Sequence, residues 1–223
     1  MSWTPIILTL KLALLSSLIL LIIGIPIANK LSNSKGFGKT FVETIISLPL
    51  VLPPTVLGFY LLVAFSPNNA FGMFLGKYFN LNLVFSFEGL VLASIIYSLP
   101  FMVQPIHAGL SNLPAQLKEA SYSLGKSKFE TLFRVLLPNI KPAILTAFTL
   151  SFAHTLGEFG VVLMIGGNIP GVTKVASIAI YDEVEAMNYG LANSYALSLL
   201  LLSFIMLLLV YSINKKRAFN FWK

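Results

Sequence analysis

Cysteine is absent from the 223 residues, and charge is scarce, with Asp, Glu, Lys and Arg together making up 10%. Without cysteine there is no disulfide framework, no thiolate metal site and no thiol nucleophile. A soluble domain carries roughly 25% charged and about 45–50% apolar residues, whereas this chain is 57% hydrophobic. That deficit of charge excludes an ordinary globular enzyme, a disordered chain and a nucleic-acid binder. Histidine is almost missing as well: only His107 and His154 occur, and no His/Asp/Glu group has metal-ligand spacing. No nucleophile–base pairing is visible. The expectation is therefore no catalytic residue, no metal and no cofactor. Strand-like alternation is also lacking, which sets aside a membrane barrel and leaves a helical bundle as the structure that satisfies its own backbone in lipid.

What is present is long apolar runs. A helix rising about 1.5 Å per residue needs about 20 apolar residues to cross roughly 30 Å of hydrocarbon. Five stretches qualify, at residues 6–28, 45–65, 89–106, 143–165 and 195–213. The first lacks a basic segment before it and an A-x-A-like cleavage site, so it reads as a span rather than a signal peptide. The expected fold is an all-α, polytopic bundle of five transmembrane helices in a single domain, 1–223, with its membrane core at about 6–213.

The net charge of +7 is unevenly placed. Twelve of the 15 basic residues fall after the first span (Lys30, Lys35, Lys39), between the third and fourth (Lys118, Lys126, Lys128, Arg134, Lys141) or at the C-terminus (Lys215, Lys216, Arg217, Lys223). The opposite loops hold Lys77 and Lys174 with the acidic Glu88, Asp182, Glu183 and Glu185, and Lys11 is expected to snorkel outward. The positive-inside rule then puts the N-terminus outside and the C-terminus in the cytoplasm. Gly38–Lys39–Thr40 suggests a phosphate-binding loop. However, the glycine such a loop needs five positions before Gly38 is Asn33, and a membrane span stands where its strand should be.

The cytoplasmic loop at about 108–141 is longer than neighbouring helices require. Pro114 suits a helix's first turn, Leu113, Leu117, Ala120 and Leu124 repeat at helical spacing, and Gly125 suits the residue after its end. A second amphipathic stretch, 129–137, follows, with Pro138 expected to stop it. On pattern alone this helix–Gly–helix unit could also lie on the membrane surface.

Glu119–Ala120 followed by Gly125, then Leu136–Leu137–Pro138, resembles the E-A-A-x-x-x-G … I-x-L-P motif of ATP-binding-cassette importer permeases, with Ser121 in place of the second alanine. The run L-P-L-V-L-P-P-T-V-L-G at 48–58, L-G-E-F-G at 156–160 and G-N-I-P-G at 167–171 resemble elements of the molybdate permeases of that group, and sulfate and tungstate permeases share shorter versions. The resemblance implies a type I ABC importer permease fold in a bacterial or archaeal cytoplasmic membrane. It implies no enzyme activity in this chain, with ATP hydrolysed by a separate subunit. The implied function is molybdate import by alternating access, with tungstate or sulfate as alternative cargo. The implied partners are a second copy in a homodimer, cytoplasmic ATP-binding-cassette subunits, an extracytoplasmic oxyanion-binding protein and membrane lipid, with no nucleic acid. Glu119, Ala120, Ser121, Gly125, Leu137 and Pro138 would couple to the ATPase. An ATP-independent secondary anion transporter is the rival from another class, although no repeat between halves is visible.

Glu158 is an intramembrane carboxylate, and such groups are costly unless paired or hydrated. His154, four residues earlier, is expected on the same face of the span. The pair either lines the path and its outer gate or anchors one helix to another, and a lone carboxylate facing the path would repel a dianion. Gly157, Phe159 and Gly160 join them as gate candidates, since small residues permit close helix approach. Pro53 and Pro54 remove backbone donors from the second span, giving either a cavity-lining break or a packing kink. A short interfacial helix is expected at 175–186, its Asp182, Glu183 and Glu185 either solvated or meeting a binding protein.

Overall fold

A computed structural model of the chain describes residues 1–218, and no strand occurs among them. The helices are α1 (Thr4–Asn33), α2 (Phe37–Val51), α3 (Pro54–Phe65), α4 (Ala70–Phe79), α5 (Phe87–Ser111), α6 (Ala115–Ser123) and α7 (Lys128–Thr131). A π-helical stretch, Leu132–Leu136, leads into α8 (Leu137–Asn139), then α9 (Lys141–Leu156), α10 (Gly160–Gly166), α11 (Ala176–Glu185) and α12 (Tyr189–Ala218). Of the C-terminal basic residues, Lys223 lies outside the described residues, as do the side chains of Lys215, Lys216 and Arg217.

Three helices, α1, α5 and the Tyr189–Val210 part of α12, are long and apolar enough to cross a bilayer unbroken, and up to five spans result if each of two bent pairs counts as one. The first bent pair is α2 with α3, which meet at 112°. Consecutive prolines cause the break. Pro53 and Pro54 supply no N–H, and the ring of each pushes the residue before it out of the helical region. Leu52 and Pro53 are accordingly extended, at ψ 135° and 136°.

The fourth span departs from expectation. Instead of one helix over 143–165, α9 ends at Leu156, Gly157–Phe159 break the path, and α10 begins at Gly160. Its 16 residues reach only about 24 Å at ~1.5 Å per residue. His154 is therefore in the last turn of α9 and Glu158 beyond its end, so the two do not share one helix face. Pro138 likewise does not stop the second amphipathic stretch. The π turns before it shift the hydrogen-bond register, with the Leu137 N–H reaching Leu132 O, and the chain stays helical to Asn139. The wider π turn takes in a proline ring that would press on the carbonyl four residues back in an α-helix. Pro114 sits one residue earlier than expected, at the N-cap of α6 rather than in its first turn.

α1 and α5 run parallel as the central pair, their N-terminal halves sharing one cluster and their C-terminal halves the other, and α9 packs on both. Two apolar clusters stack along them. One joins Leu20, Ala28 and Leu31 of α1 to Met102, Ile106 and Leu110 of α5 and to Leu132, Leu136 and Leu137. The other joins Leu12 to Leu90, Val161, Ile165 and Ile178. By chain position a buried hydroxyl layer separates them, with Ser16 and Ser17 on α1, Ser94 and Ser98 on α5, and Ser151 and Thr155 on α9.

The two ends of the bundle are distinguishable. At one, Thr9 Oγ1 accepts from Ala176 N at 2.8 Å and the Tyr195 hydroxyl accepts from Ser2 N at 3.1 Å. At the other, Lys118 of α6 donates to Asn33 at the end of α1. This second end carries the lysines of the α1–α2 turn and those of α6–α9.

Candidate functional site

Two groups of residues stand out. The first is α6 and its continuation, at the basic end. α6 closes in a Schellman arrangement: Lys126 N donates to Ser121 O at 3.2 Å and Gly125 N to Tyr122 O at 2.9 Å. That closure needs a left-handed residue after the helix, and Gly125 supplies it at φ +75° with open space where a Cβ would stand. Ser121, where the resembled motif has alanine, is buried and shares a 2.8 Å hydroxyl hydrogen bond with Thr131. α7 is started by a capping box. Glu130 N donates to Ser127 Oγ at 3.1 Å, and Ser127 N donates back to the Glu130 carboxylate at 3.4 Å. Lys126 and Arg134 lie 3.5 and 3.4 Å from that carboxylate. The hydrogen bond from the Ser127 backbone, then the charge of Lys126, hold its carboxyl below the usual range.

The unit is fixed from below and open above. Leu132, Leu136 and Leu137 are buried in the cluster with Leu110 and Ile106. Glu119, Ala120, Gly125 and Pro138 are exposed, and so are Leu124 at 80% and Phe129 at 69%. Leu137 thus anchors the unit while the other motif residues, Ser121 apart, face outward.

The second group surrounds the α9–α10 break. Glu158 is 4% exposed and accepts from Ser94 Oγ at 2.7 Å through Oε2, whereas its Oε1 has no partner. Its backbone carbonyl accepts from Ser177 Oγ of α11 at 2.6 Å. His154 Nδ1 lies 2.9 Å from Ser98 Oγ, which also contacts Thr155 Oγ1 at 3.1 Å. The rings of Phe101 and Tyr97 flank the imidazole, at centroid distances of 4.1 and 4.5 Å. Ser94, Tyr97, Ser98 and Phe101 recur at three- and four-residue spacing, so one face of α5 receives both His154 and Glu158. Gly160 packs on α3, where a Cβ would come within 2.8 Å of Pro54 Cβ. Pro53 and Gly157 are exposed beside these contacts, and the Phe159 ring meets Tyr181 at 5.1 Å. The start of α3, the middle of α5 and the α9–α10 break therefore form one neighbourhood.

At the end of the bundle opposite the lysine-rich one, the acidic residues of α11 are already engaged. Lys174 lies 2.5 Å from Asp182, Asn168 donates to both Asp182 oxygens at 3.0 Å, Asn188 donates to Glu183 at 2.9 Å, and Tyr181 donates to Glu185 at 2.5 Å. Ser94, Ser98 and the Ser127–Glu130 box were not singled out from the sequence. The S-x-x-E spacing was a usable signal for the box, and two serines four apart within an apolar run were one for α5.

The all-helical bundle, with its broken spans and exposed helix–Gly–helix unit at one end, has the fold of chains found in ABC transporters. Solved structures share this fold. A chain of a bacterial ABC transporter that imports the acidic polysaccharide alginate matches with TM-score 0.79, at 18% identity over 96% of this chain and 78% of that one. A chain of the inward-facing MetNI methionine ABC transporter matches with TM-score 0.72, at 18% identity over 97% and 99%. The chain belongs to the family described as binding-protein-dependent transport system inner membrane component, which matches residues 2–218. Among its relatives, the molybdenum transport system permease protein ModB of Azotobacter vinelandii is 45% identical over 95% of this chain and 93% of its own. A probable sulfate transport system permease protein, cysT of Prototheca wickerhamii, is 36% identical over 95% of this chain and 81% of its own.

Proposed function

We propose that this chain is the permease subunit of an ATP-driven importer that moves molybdate across the cytoplasmic membrane. The observation that carries the reading is the exposed α6–Gly125–α7 unit at the basic end of the bundle. Positive charge marks the cytoplasmic side, so this end faces the cytoplasm and the N-terminus lies outside. There Glu119, Ala120 and Gly125, with Leu124 and Phe129 beside them, receive the ATPase subunit. Residues 108–141 form the coupling loop of a single domain, and the chain itself hydrolyses nothing. Two copies assemble, since one bundle is too small to enclose a path for a tetrahedral oxyanion, and the path runs between them. A binding protein delivers the ion to the other end.

The mechanism is alternating access. Closure of the ATPase dimer displaces α6. The displacement passes through Ser121–Thr131 and the buried Leu132, Leu136 and Leu137 to Leu110 and Ile106 of α5. α5 carries it to Ser94 and Ser98, which hold Glu158 and His154 at the α9–α10 break. Pro53, Pro54, Gly157, Phe159 and Gly160 form the gate, where two short helices meet at backbone breaks able to pivot. Glu158, held on α5, positions that gate instead of contacting the anion, which a carboxylate would repel. A dianion is better passed by hydroxyls, backbone amides and helix N-termini. Molybdate is favoured over sulfate because the 45% relative bears a molybdenum-transport name while the sulfate-named relative stands at 36%.

Uptake of labelled molybdate into vesicles holding this chain, its ATPase and its binding protein tests the reading. Uptake should require ATP, resist excess sulfate and yield to tungstate. Blocking by sulfate would change the cargo and keep the machine. Uptake indifferent to ATP would overturn the coupling argument. Glu119→Lys and Gly125→Asp should each reduce ATPase copurification, which a gradient-driven transporter or a channel would ignore.

A further inference from the structure

We propose that the groove between the end of α1 and the start of α2 binds an anionic phospholipid, with the headgroup phosphate on Lys30, Lys35 and Lys39 and the acyl chains along Leu31, Val42 and Ile46. The groove has a volume of about 510 Å³ and is lined by these residues with no acidic one among them. That size lies within the range of roughly 300–1,000 Å³ usual for ligand pockets. Its construction is two-sided. The floor is apolar, with Leu31 and Ile46 buried in the core cluster they share with α5. The rim is cationic, with Lys30 and Lys35 exposed and without a carboxylate partner among the described residues. Lys39 lies 3.6 Å from Glu43 and is the one rim lysine partly neutralised, while Glu43 also lies 3.6 Å from His107 Nε2, on the α5 side.

The site's depth and surroundings select the ligand. The lysines sit where the apolar length of α1 ends, at the level of the headgroups. Beside the groove, Phe41, Val42 and Ile45 are exposed apolar residues on α2. A soluble anion would satisfy the rim but leave the apolar floor unmatched. A phospholipid with a negatively charged headgroup matches both, and basic pockets between membrane helices suit such headgroups. Lipid in the groove would also wedge α1 against α2, the helix that bends into the gate at Pro53. The site does not depend on which oxyanion is carried.

The test is native mass spectrometry of the full-length chain in detergent micelles, titrated with phosphatidylglycerol and, separately, phosphatidylcholine. Each lysine near an anionic surface changes binding by about fivefold. The Lys30→Gln/Lys35→Gln/Lys39→Gln variant should therefore lose phosphatidylglycerol affinity by tens-fold to about a hundredfold, with phosphatidylcholine retention unchanged. Lys35→Glu, at an exposed position, should lose about fivefold or more and serves if the triple variant does not fold. Equal retention of the two lipids, or phosphatidylglycerol binding that survives the substitutions, would overturn the proposal. Displacement of the lipid by soluble glycerol phosphate at equal concentration would assign the rim to a soluble phosphate compound instead. The readout is binding alone, so a negative result leaves the transport reading standing, and failed uptake leaves this site untouched.

Discussion

Ser94→Ala should destabilise the bundle by about 1–3 kcal/mol, because it removes the sole side-chain partner, among the described residues, of a buried carboxyl group. Ser94 Oγ donates to Glu158 Oε2 at 2.7 Å, the other carboxyl oxygen has no partner, and the side chain is 4% exposed. The alanine variant leaves both oxygens orphaned, and the cavity formed by losing one hydroxyl is too small for water to enter easily. For a chain of this length 1 kcal/mol corresponds to roughly 2–4 °C in Tm, so a fall of about 2–12 °C is expected. Thermal unfolding of the detergent-purified protein, followed by intrinsic fluorescence, measures it. The sharper readout is the cycle with Glu158→Met. Once the carboxyl group is gone, Ser94→Ala removes no needed donor, so the double variant should be more stable than the summed single effects by about 0.5–3 kcal/mol. A Ser94→Ala effect below about 0.5 kcal/mol, the size of an ordinary surface change, or strict additivity in the cycle, would refute the idea that Glu158 is held on α5 through this bond.

Three further outcomes follow from the geometry. Gly160→Ala would place a methyl group 2.8 Å from Pro54 Cβ; proline cannot swing aside, so a cost of about 1–3 kcal/mol should appear as a lower Tm together with reduced uptake. Ser121→Ala, which restores the alanine of the resembled motif, should orphan the buried Thr131 hydroxyl and cost about 1 kcal/mol, while Ser121→Ala/Thr131→Val should recover most of it; equal Tm values for the single and double variants would contradict this. Glu130 is held ionised by the Ser127 backbone and Lys126, so its folded value lies below its unfolded one. The capping box should therefore be intact above about pH 4.3 and be lost as pH falls through the lower, folded value. Amide exchange at the start of α7 should accelerate in that window, and Glu130→Gln should abolish the pH step.

The chain's own composition determines that it lies in a membrane, which runs are apolar enough to span it, and that one end of the bundle collects the lysines. These are summed properties of long segments, and no tertiary contact is needed to read them. The consecutive prolines at 53 and 54 mark an interruption in the sequence, since their effect acts on adjacent backbone, but a full break and a packing kink stay open there. Gly125 was legible as a helix end because a left-handed closing residue is a local demand. The 112° turn between α2 and α3 was not, because an angle is set by what the two halves pack against. Nor was the end of α9 at Leu156. The run to Ile165 is apolar except for Glu158, and although Gly157 and Gly160 weaken a helix, nothing local fixes where it stops. The break is held by partners distant in sequence, Ser94 on the Glu158 carboxyl group, Ser177 on its carbonyl and Pro54 against Gly160. Their four-residue spacing puts His154 and Glu158 on one helix face, whereas in the fold they share a partner helix, α5. Hydrogen bonds between residues 56 and 64 positions apart are decided by which helices become neighbours, and tertiary packing alone settles that.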